Sequence, residues 1–488
     1  MKKILSLILA ALMLAAVFCA SSCAGESGTE GPGSSAAADS GTVAETAAET
    51  ALKPDLPDVK FGGSFVIASG YVTDSKYTST AITADTVNGD VINDAIYERT
   101  VTVESLFDIK IEVLDVNYTK INNSVKTGTR EYDIGTATTS EIMSILTAGS
   151  AINLNEVESI DLDKPWWDQN AKSKFAVADK LYYTLSDFFI TGIDNCRCTY
   201  FNKDLASSLN LGSLYELVDK NEWTIDRMKE MSVVAVDDKN GDQKIDTNDQ
   251  LGIVNNATTF YEVMLTGCNA EVMKQGEGNI PYWTGAEEQE FFVGIYTKLL
   301  DLFSKDGGYL ITSTDDGRRM FKNGNSLFTC DTMFLCSDMR QNSDINFGIM
   351  PVPKYSADQE KYYHVSPNPD VFFIIPGTTD ETERCGVMLE ALSYYSSAYY
   401  SDSALMPSYF DLALTTKSAP DVDSSNNLQI VHDNISYIIK LAGTVYSGAV
   451  FSQFENGNYN ITSTLNTMNK SNSKTLRDVL ASLGVEAD

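Results

Sequence analysis

From about residue 60 onwards, the spacing of apolar residues alternates between the period of a β-strand and the period of a helix. Residues 63–69 (GSFVIAS) form a short apolar run, and residues 109–116 (IKIEVLDV) alternate apolar with polar side chains. Both patterns are typical of β-strands. Between them, residues 88–108 place apolar side chains three and four positions apart, which is typical of a helix. This order predicts a strand, a helix and a second strand.

The same switching recurs to the end of the chain and predicts a mixed α/β fold whose last third is mainly helical. No repeat of solenoid length is visible. Further strands are predicted at 132–137, 196–204, 325–331, 346–353 and 371–377, and further helices at 140–149, 224–236, 381–399, 427–442 and 473–484.

The N-terminus has the pattern of an export signal. Lys2 and Lys3 precede an apolar run over residues 4–18, which is too short for a retained membrane span. The residues before Cys23 resemble the site at which bacterial signal peptidase leaves a lipid-modified cysteine. We therefore predict a signal peptide at 1–22, lipidation of Cys23, and a disordered Gly, Ser, Ala and Thr-rich tether at 23–58. The expected location is the extracellular face of the cell membrane.

The net charge limits the partners expected for this protein, and the cysteine spacing limits the redox and metal chemistry that the sequence supports. The formal net charge is −31, so the protein repels nucleic acid and no nucleic-acid partner is expected. No CxxC motif occurs, so the sequence gives no sign of a redox or zinc site. Export would permit disulfides, but the sequence leaves the state of the cysteines beyond Cys23 open. These are Cys196, Cys198, Cys268, Cys330, Cys336 and Cys385.

Signatures of common enzyme classes are missing. The two histidines, His364 and His432, have no metal-ligand partner at helical or hairpin spacing, and no GxSxG, P-loop or GxGxxG motif occurs. A carboxylate pair for glycoside hydrolysis stays open, because such a pair is defined by its separation in space. A secreted carbohydrate-active enzyme is therefore the enzymatic alternative.

Residues 236–253 (VDDKNGDQKIDTNDQLGI) have the spacing of a calcium loop. Oxygen ligands fall at the positions that wrap a hard cation, with Lys244 contributing its carbonyl and Asp249 closing the loop. Gln243 stands where glycine is usual, and no helix is predicted after the loop. We therefore expect a structural calcium ion and no calmodulin-type switch. The predicted ligands are Asp238, Asn240, Asp242, Lys244, Asp246 and Asp249.

Several segments, in this order, resemble the family 1 extracellular solute-binding proteins of bacterial ABC importers, and among them the sugar-binding lipoproteins related to maltose-binding protein. The segments are GDVINDAIYERTVTVESLFDIKI, YDIGTATTSEIMSILTAG, DLDKPWWDQNAKSKFAVADKLYYTLSD, TYFNKDLA, NEWTIDRMKEM with the calcium loop, FKNGNSLF and FGIMPVPK.

The resemblance implies a type II periplasmic-binding-protein-like fold, in which two α/β lobes joined by crossing strands close on a ligand. It also implies a monomer, no catalytic residues and permease subunits as membrane partners. The lobe boundaries that it implies are 59–191 with 346–396 for the first lobe, and 192–345 with 397–488 for the second.

Ligand loops in this family follow strand ends, and sugar sites pair aromatic rings with hydrogen-bonding groups. The predicted binding residues are Thr138 and Thr139 after 132–137, Asp194 and Asn195 at the crossover, Asp331 and Phe334 after 325–331, and Tyr71, Trp167 and Trp283 as aromatic platforms. For Trp167 and Trp283, packing in the core is the competing interpretation.

The function predicted from the sequence is capture of a carbohydrate, such as an oligosaccharide, for import. Three alternatives stay open: the carbohydrate-active enzyme, a receptor for a non-sugar solute such as a peptide, and a surface adhesion or scaffold lipoprotein.

Overall fold

The computed structural model describes residues 52–70, 81–116, 118–255, 257–285, 287–303, 308–366, 371–439, 441 and 460–486. The predicted signal peptide, Cys23, most of the tether and Tyr71 lie outside these residues. Within the tether, Leu56 packs partly against the core, so the ordered body begins before Val59, the predicted start.

The first lobe is built on a four-stranded sheet. Its strands lie in the order β12-β3-β1-β2, with β1 parallel to β2 and β3, and β12 antiparallel to β3. The elements are β1 (Ser64–Ser69), α1 (Val91–Phe107), β2 (Lys110–Asp115), α2 (Tyr118–Thr127), β3 (Ile134–Ala137), α3 (Thr139–Thr147), α4 (Gln169–Phe175), β12 (Phe372–Ile374) and α13 (Thr382–Tyr394).

Local chemistry sets the ends of the first helix. The Asp90 side chain accepts hydrogen bonds from the amides of Ile92 and Asn93, which begins α1. Asp108 ends it in the left-handed region at φ 50°. The predicted strand-helix-strand unit is therefore confirmed, with β1 and β2 paired in parallel.

The second lobe is built on a five-stranded sheet in the order β10-β4-β9-β5-β8. Strands β9, β5 and β8 are parallel, whereas β4 is antiparallel to both β9 and β10. The elements are α5 (Thr191–Asp194), β4 (Arg197–Asn202), α6 (Lys203–Ser208), α7 (Tyr215–Asp219), α8 (Ile225–Val234), β5 (Leu251–Asn255), α9 (Ala257–Gly267), β6 (Met273–Gln275), β7 (Pro281–Trp283), α10 (Gln289–Leu302), β8 (Tyr309–Ile311), α11 (Thr314–Lys322), β9 (Ser326–Thr332), α12 (Phe334–Asn342) and β10 (Phe347–Met350).

A close approach between α8 and β5 requires glycine. A Cβ atom on Gly252 would lie 2.4 Å from the backbone oxygen of Ser232. Thr224 is the N-cap residue of α8, because its hydroxyl oxygen accepts a hydrogen bond from the amide of Arg227 at 3.3 Å.

The C-terminal part is helical, but its boundaries differ from the prediction. It contains β11 (His364–Val365), α14 (Leu405–Pro407), a π-helix (Ser408–Ser418), α15 (Val422–Asp433), β13 (Ile435–Ser436) and α16 (Ile461–Ser482). The helix predicted at 427–442 ends at Asp433, because β13 follows and pairs with β11. The π-helix was not predicted, since its i→i+5 bonds leave no distinct hydrophobic period.

One strand lies in a different lobe from the one implied by the sequence. Residue 346 was the expected return to the first lobe, yet Phe347–Met350 pairs with Arg197–Asn202 in the second sheet. The chain re-enters the first sheet at Phe372.

The six cysteines named above are free and buried, and burial raises the pKa of each of their thiols. Among the described residues, no helix combines the length and apolar character needed to cross a bilayer.

Candidate functional site

The ends of four strands meet at one edge of the second sheet. Arg197 begins β4 and lies opposite Thr332 at the end of β9, since these strands are antiparallel. Strands β5 and β8 run parallel to β9 and end at the same edge, with Asn255 and Ile311. The chain reaches Arg197 directly from α5, so this edge is the one at which the first lobe connects to the second.

A cavity of about 1390 Å³ touches the crossover at Ile190 and Asp194 and reaches Asn202 and Gly324 near the opposite edge of the sheet. Residues 89–92 at the start of α1 line it from the first lobe, and α11 and α12 line it from the second. The π-helix contributes Tyr409 and Lys417. Asp194 and Phe334, both predicted from the sequence, lie in this lining.

Asp194 is held at the crossover by the π-helix. Its side chain is buried, and its Oδ1 accepts a hydrogen bond from the Tyr409 hydroxyl at 2.7 Å. Burial raises the pKa of Tyr409 well above its usual value, so the hydroxyl remains a donor at neutral pH. Asn195 is half-buried, and its amide donates to the carbonyl of Thr191 at 3.0 Å.

Asp331 lies between two arginines. Arg318 donates through Nε to Oδ2 at 2.7 Å and through Nη2 to Oδ1 at 2.7 Å, while Arg197 donates through Nη1 to Oδ1 at 2.9 Å. The amide of Thr332 also donates to Oδ1. Burial opposes ionisation, but the arginine hydrogen bonds and charges outweigh it and lower the pKa of Asp331. The carboxylate is therefore ionised, and it orients both guanidinium groups.

The sequence did not point to Arg197, Arg318, Asn255 or Tyr409. The available signal was weak: Arg197 is the charged residue in the otherwise uncharged strand CRCTYF, and Arg318 lies in a helix rich in charge. The Asn255 amide is fixed by β9, donating to the carbonyl of Cys330 and accepting from its amide.

The structure places two predicted aromatic platforms in the core instead. Trp167 is 1% exposed, and its Nε1 donates to Oε2 of Glu390 at 2.8 Å. Trp166 donates to the other oxygen of the same carboxylate at 2.9 Å. Trp283 is 8% exposed and donates to Oδ1 of Asn469 on α16. Both predictions are corrected for the same reason, since each indole finds its polar partner inside its own lobe.

The two threonines after β3 lie at the start of α3. Thr138 is the N-cap residue, and its amide donates to Oε2 of Glu141 at 2.8 Å. Thr139 is the first residue of that helix, and its side chain lies outside the described set. Thr138 is not among the described residues that line the large cavity.

In the predicted calcium loop, the carboxylates accept hydrogen bonds from loop amides. Asp238 accepts from Gly241 and Gln243, and Asp249 accepts from Lys239 and Asp246. Gln243 has φ 64°, the left-handed conformation expected where glycine is usual. Among the described residues, no three His, Cys, Asp or Glu side chains come together to hold a metal. The oxygen donors of the loop are of the kind that calcium binds.

The two histidines lie apart. His364 is fully buried, its Nδ1 lies 3.3 Å from the carbonyl oxygen of Arg197, and burial lowers its pKa to about 3. His432 is less buried, and its Nδ1 lies 3.1 Å from Oδ1 of Asp433.

Comparison with solved structures identifies the fold, whereas comparison of sequences finds no match. No family model matches the sequence, and no curated protein matches it either. An ABC substrate-binding protein from Listeria monocytogenes, solved in complex with cycloalternan, aligns with TM-score 0.52 and 14% identity over 87% of this chain and 100% of that one.

Two further solved structures are similar to the same extent. A solute-binding protein of an ABC transporter from Thermotoga lettingae, bound with α-D-tagatose, has TM-score 0.51 and 13% identity over 86% of this chain and 100% of that one. A family 1 extracellular solute-binding protein from Bifidobacterium longum subsp. infantis has TM-score 0.52 and 15% identity over 86% of this chain and 99% of that one. The chain therefore has the two-lobed α/β fold of the family 1 extracellular solute-binding proteins, as its sequence predicted.

Proposed function

We propose that this protein is the lipid-anchored substrate-binding component of an ABC importer and that it captures an extracellular carbohydrate. The observation that carries the proposal is the 1390 Å³ cavity lined from both lobes beside the crossover. Similar folds have been solved with sugars, namely cycloalternan and α-D-tagatose. In this proposal Cys23 carries the lipid, the protein acts as a monomer, and the permease subunits receive the ligand.

The cavity can hold a ligand by hydrogen bonding. Its lining combines carboxylates, amides and cationic side chains with a few apolar ones such as Phe334 and Leu205. Sugars need this combination, because their hydroxyls pair with polar groups and their C–H faces lie on apolar ones. Closing the lobes would exclude water from these hydrogen bonds and strengthen them.

The chain's own role is to bind and release, without covalent chemistry. Asp194 lies at the crossover with its hydroxyl partner Tyr409, so a ligand that reaches Asp194 contacts the segment joining the lobes. Binding there couples ligand contact to the relative position of the lobes. The calcium ion, if bound by the 238–249 loop, would brace the second lobe away from the cavity.

The test is calorimetric titration of the purified protein, residues 24–488, with a broad glycan panel that includes oligosaccharides and monosaccharides. We expect binding of at least one glycan, compaction of the protein in small-angle scattering with that glycan, and no release of reducing sugar. Asp194→Asn should weaken binding, whereas Asp478→Asn, on the exposed face of α16, is the matched control. The proposal fails if every glycan is inert and peptides or other solutes bind.

A further inference from the structure

Arg99 is a charged side chain enclosed in the interior of the protein. It lies in the middle of α1 and is 1% exposed. Its Nη1 donates to the carbonyl of Phe188 at 2.9 Å and to the hydroxyl of Ser396 at 3.2 Å, and its Nη2 donates to the carbonyl of Ile82. The guanidinium carbon also lies 4.4 Å from the centre of the Phe188 ring. The side chain therefore joins α1 to three other segments of the chain.

The acceptors of Arg99 are neutral. Within the described part of the chain it forms no ion pair, and burial lowers its pKa to about 9, so the group is still charged at neutral pH. Its Nε has no hydrogen-bond partner among the same residues. Burying a charge without a counter-charge is costly, and an apolar side chain of similar length would fill this space at a lower cost. What arginine contributes here is its planar fork of donors, which reaches several acceptors at once.

Two of the three acceptors lie where the chain approaches the large cavity. Phe188 lies two residues before Ile190, which lines the cavity at the crossover. Ser396 follows the end of α13, and its carbonyl accepts a hydrogen bond from the amide of Met406 in α14 at 2.9 Å. Helix α14 leads directly into the π-helix. Arg99 therefore holds one end of the crossover and one end of the segment that leads to the π-helix.

These two segments are joined a second time at the cavity, by the hydrogen bond from Tyr409 to Asp194. The π-helix that carries Tyr409 packs against both α1 and α12, and the hydroxyls of Ser418 and Ser337 lie 2.9 Å apart. Helix α1 reaches the same cavity with its N-terminus. The hydrogen bonds of Arg99 and the bond between Tyr409 and Asp194 thus close a ring through the two segments.

We propose that Arg99 is a positioning residue for ligand binding, which fastens the two segments so that Asp194 and Tyr409 meet at the cavity. Arg99 is enclosed and is not among the residues that line the cavity, so it acts through the segments and not by touching the ligand. Binding groups keep their geometry only when the residues behind them are fixed. The consequence for ligand binding rests on the proposed function, whereas the fastening itself does not.

Hydrogen–deuterium exchange of the ligand-free protein, residues 24–488, tests the fastening. The amides of 188–198 and 396–410 report on the two segments, and those of β1 and β2 report on the first sheet. Arg99→Met removes the charge and all the donors. We expect exchange in both segments to rise about 10- to 100-fold, as for the loss of hydrogen bonds from a charged donor. Exchange in β1 and β2 should change much less.

Two further variants separate the fork from the charge. Arg99→Lys keeps the charge on a single donor group, and its exchange should stay close to that of Arg99→Met because the fork holds the segments. Ser396→Ala removes one acceptor and changes no charge. It should raise exchange at 396–410 more than at 188–198, and it decides the question if Arg99→Met does not fold.

Arg384→Met is the matched control. Arg384 also belongs to the first lobe and donates to a backbone carbonyl, that of Ser64, but its other hydrogen bonds go to Asp133 and Glu381. This variant should lower the melting temperature and leave exchange in the two segments as in the wild type.

Unchanged exchange in both segments of folded Arg99→Met, or of Ser396→Ala, would overturn the fastening. An equal rise in Arg384→Met would also overturn it, because it would show a general loosening of the first lobe. A glycan that binds the wild type in the panel should bind Arg99→Met at least about tenfold more weakly, and equal affinity would overturn the role in ligand binding. If no glycan binds, the proposed function fails, and the exchange result still decides the fastening.

Discussion

Trp167 donates its indole Nε1 to Oε2 of Glu390 at 2.8 Å, and Trp166 donates to the other carboxylate oxygen. Glu390 is 2% exposed, and burial raises its pKa to about 7 even though both indoles favour the ionised form. This carboxyl therefore titrates near neutral pH inside the first lobe.

The sign of the resulting pH dependence follows from proton binding. Between the ordinary pKa of 4.5 and about 7, the folded protein holds the proton of Glu390 more tightly than the unfolded chain does. The contribution of Glu390 to the free energy of unfolding is therefore fully present below pH 4.5 and is lost as the pH rises through about 7. Glu390→Gln should reduce this loss, by about 1.4 kcal/mol for each unit of pKa shift removed.

Urea unfolding at pH 5 and pH 8 measures the change, and tryptophan fluorescence reports the titration directly. Glu216→Gln is the control, because that residue is exposed and paired with Lys220. Identical pH slopes for wild type and Glu390→Gln would contradict the assignment.

The calcium loop gives a prediction about stability. Chelation with EGTA should lower the melting temperature of the wild type, because an ion bound only by the folded state stabilises it. Asp242→Asn, which removes one charged ligand, should weaken this response, whereas Asp478→Asn should not. Ligand specificity should stay the same. Loss of ligand binding without a lower melting temperature would show that the ion belongs to the binding site.

A contact between the lobes gives a prediction about their motion. Asn279, in the β6–β7 hairpin, donates Nδ2 to Oδ1 of Asp179 at 2.6 Å, and its carbonyl accepts from the amide of Ala178 at 2.9 Å. All three residues have left-handed backbones, with φ between 50° and 61°. Non-glycine residues in this region are strained, and such strain clusters where a contact is functional.

We expect Asn279→Ala to increase the radius of gyration of the ligand-free protein in small-angle scattering, because it removes one of the side-chain hydrogen bonds between the hairpin and the first lobe, beside the two that Gln275 donates to the carbonyls of Lys174 and Ala176. Ligand affinity should change with it, since lobe position and binding are coupled. Asn466→Ala, at an exposed position of α16, is the control. An unchanged radius and affinity would show that this contact does not restrain the lobes.

A substitution at Trp283 distinguishes a packing role of this residue from a role in stacking on the ligand. Trp283→Phe removes the hydrogen bond to Asn469 and part of a buried ring, so the free energy of unfolding should fall by about 1–3 kcal/mol. Glycan affinity should change less than twofold. Urea unfolding and calorimetry measure the two quantities, and a large loss of affinity in a stable variant would restore Trp283 as a ligand platform.

The elements of the first lobe were predictable because each has one clear period. Strand β1, helix α1 and strand β2 lie within three residues of their predicted bounds. The end of α15 was not predictable, because the apolar residues after Asp433 continue the helical spacing although β13 pairs with β11. Pairing with a distant strand is decided by tertiary structure and overrides local preference.

The sequence by itself determined the alternation of strands and helices and the acidic composition, because hydrophobic period and residue content carry this information. The crossover position of Asp194 was implied by the resemblance to the solute-binding proteins. Tertiary structure alone decided which side chains meet. Arg197 and Asp331 are 134 positions apart, and antiparallel pairing of β4 with β9 brings them into contact. Tertiary structure also decided that Trp167 and Trp283 lie in the core, because an indole packs wherever the fold supplies an apolar surface and a hydrogen-bond acceptor.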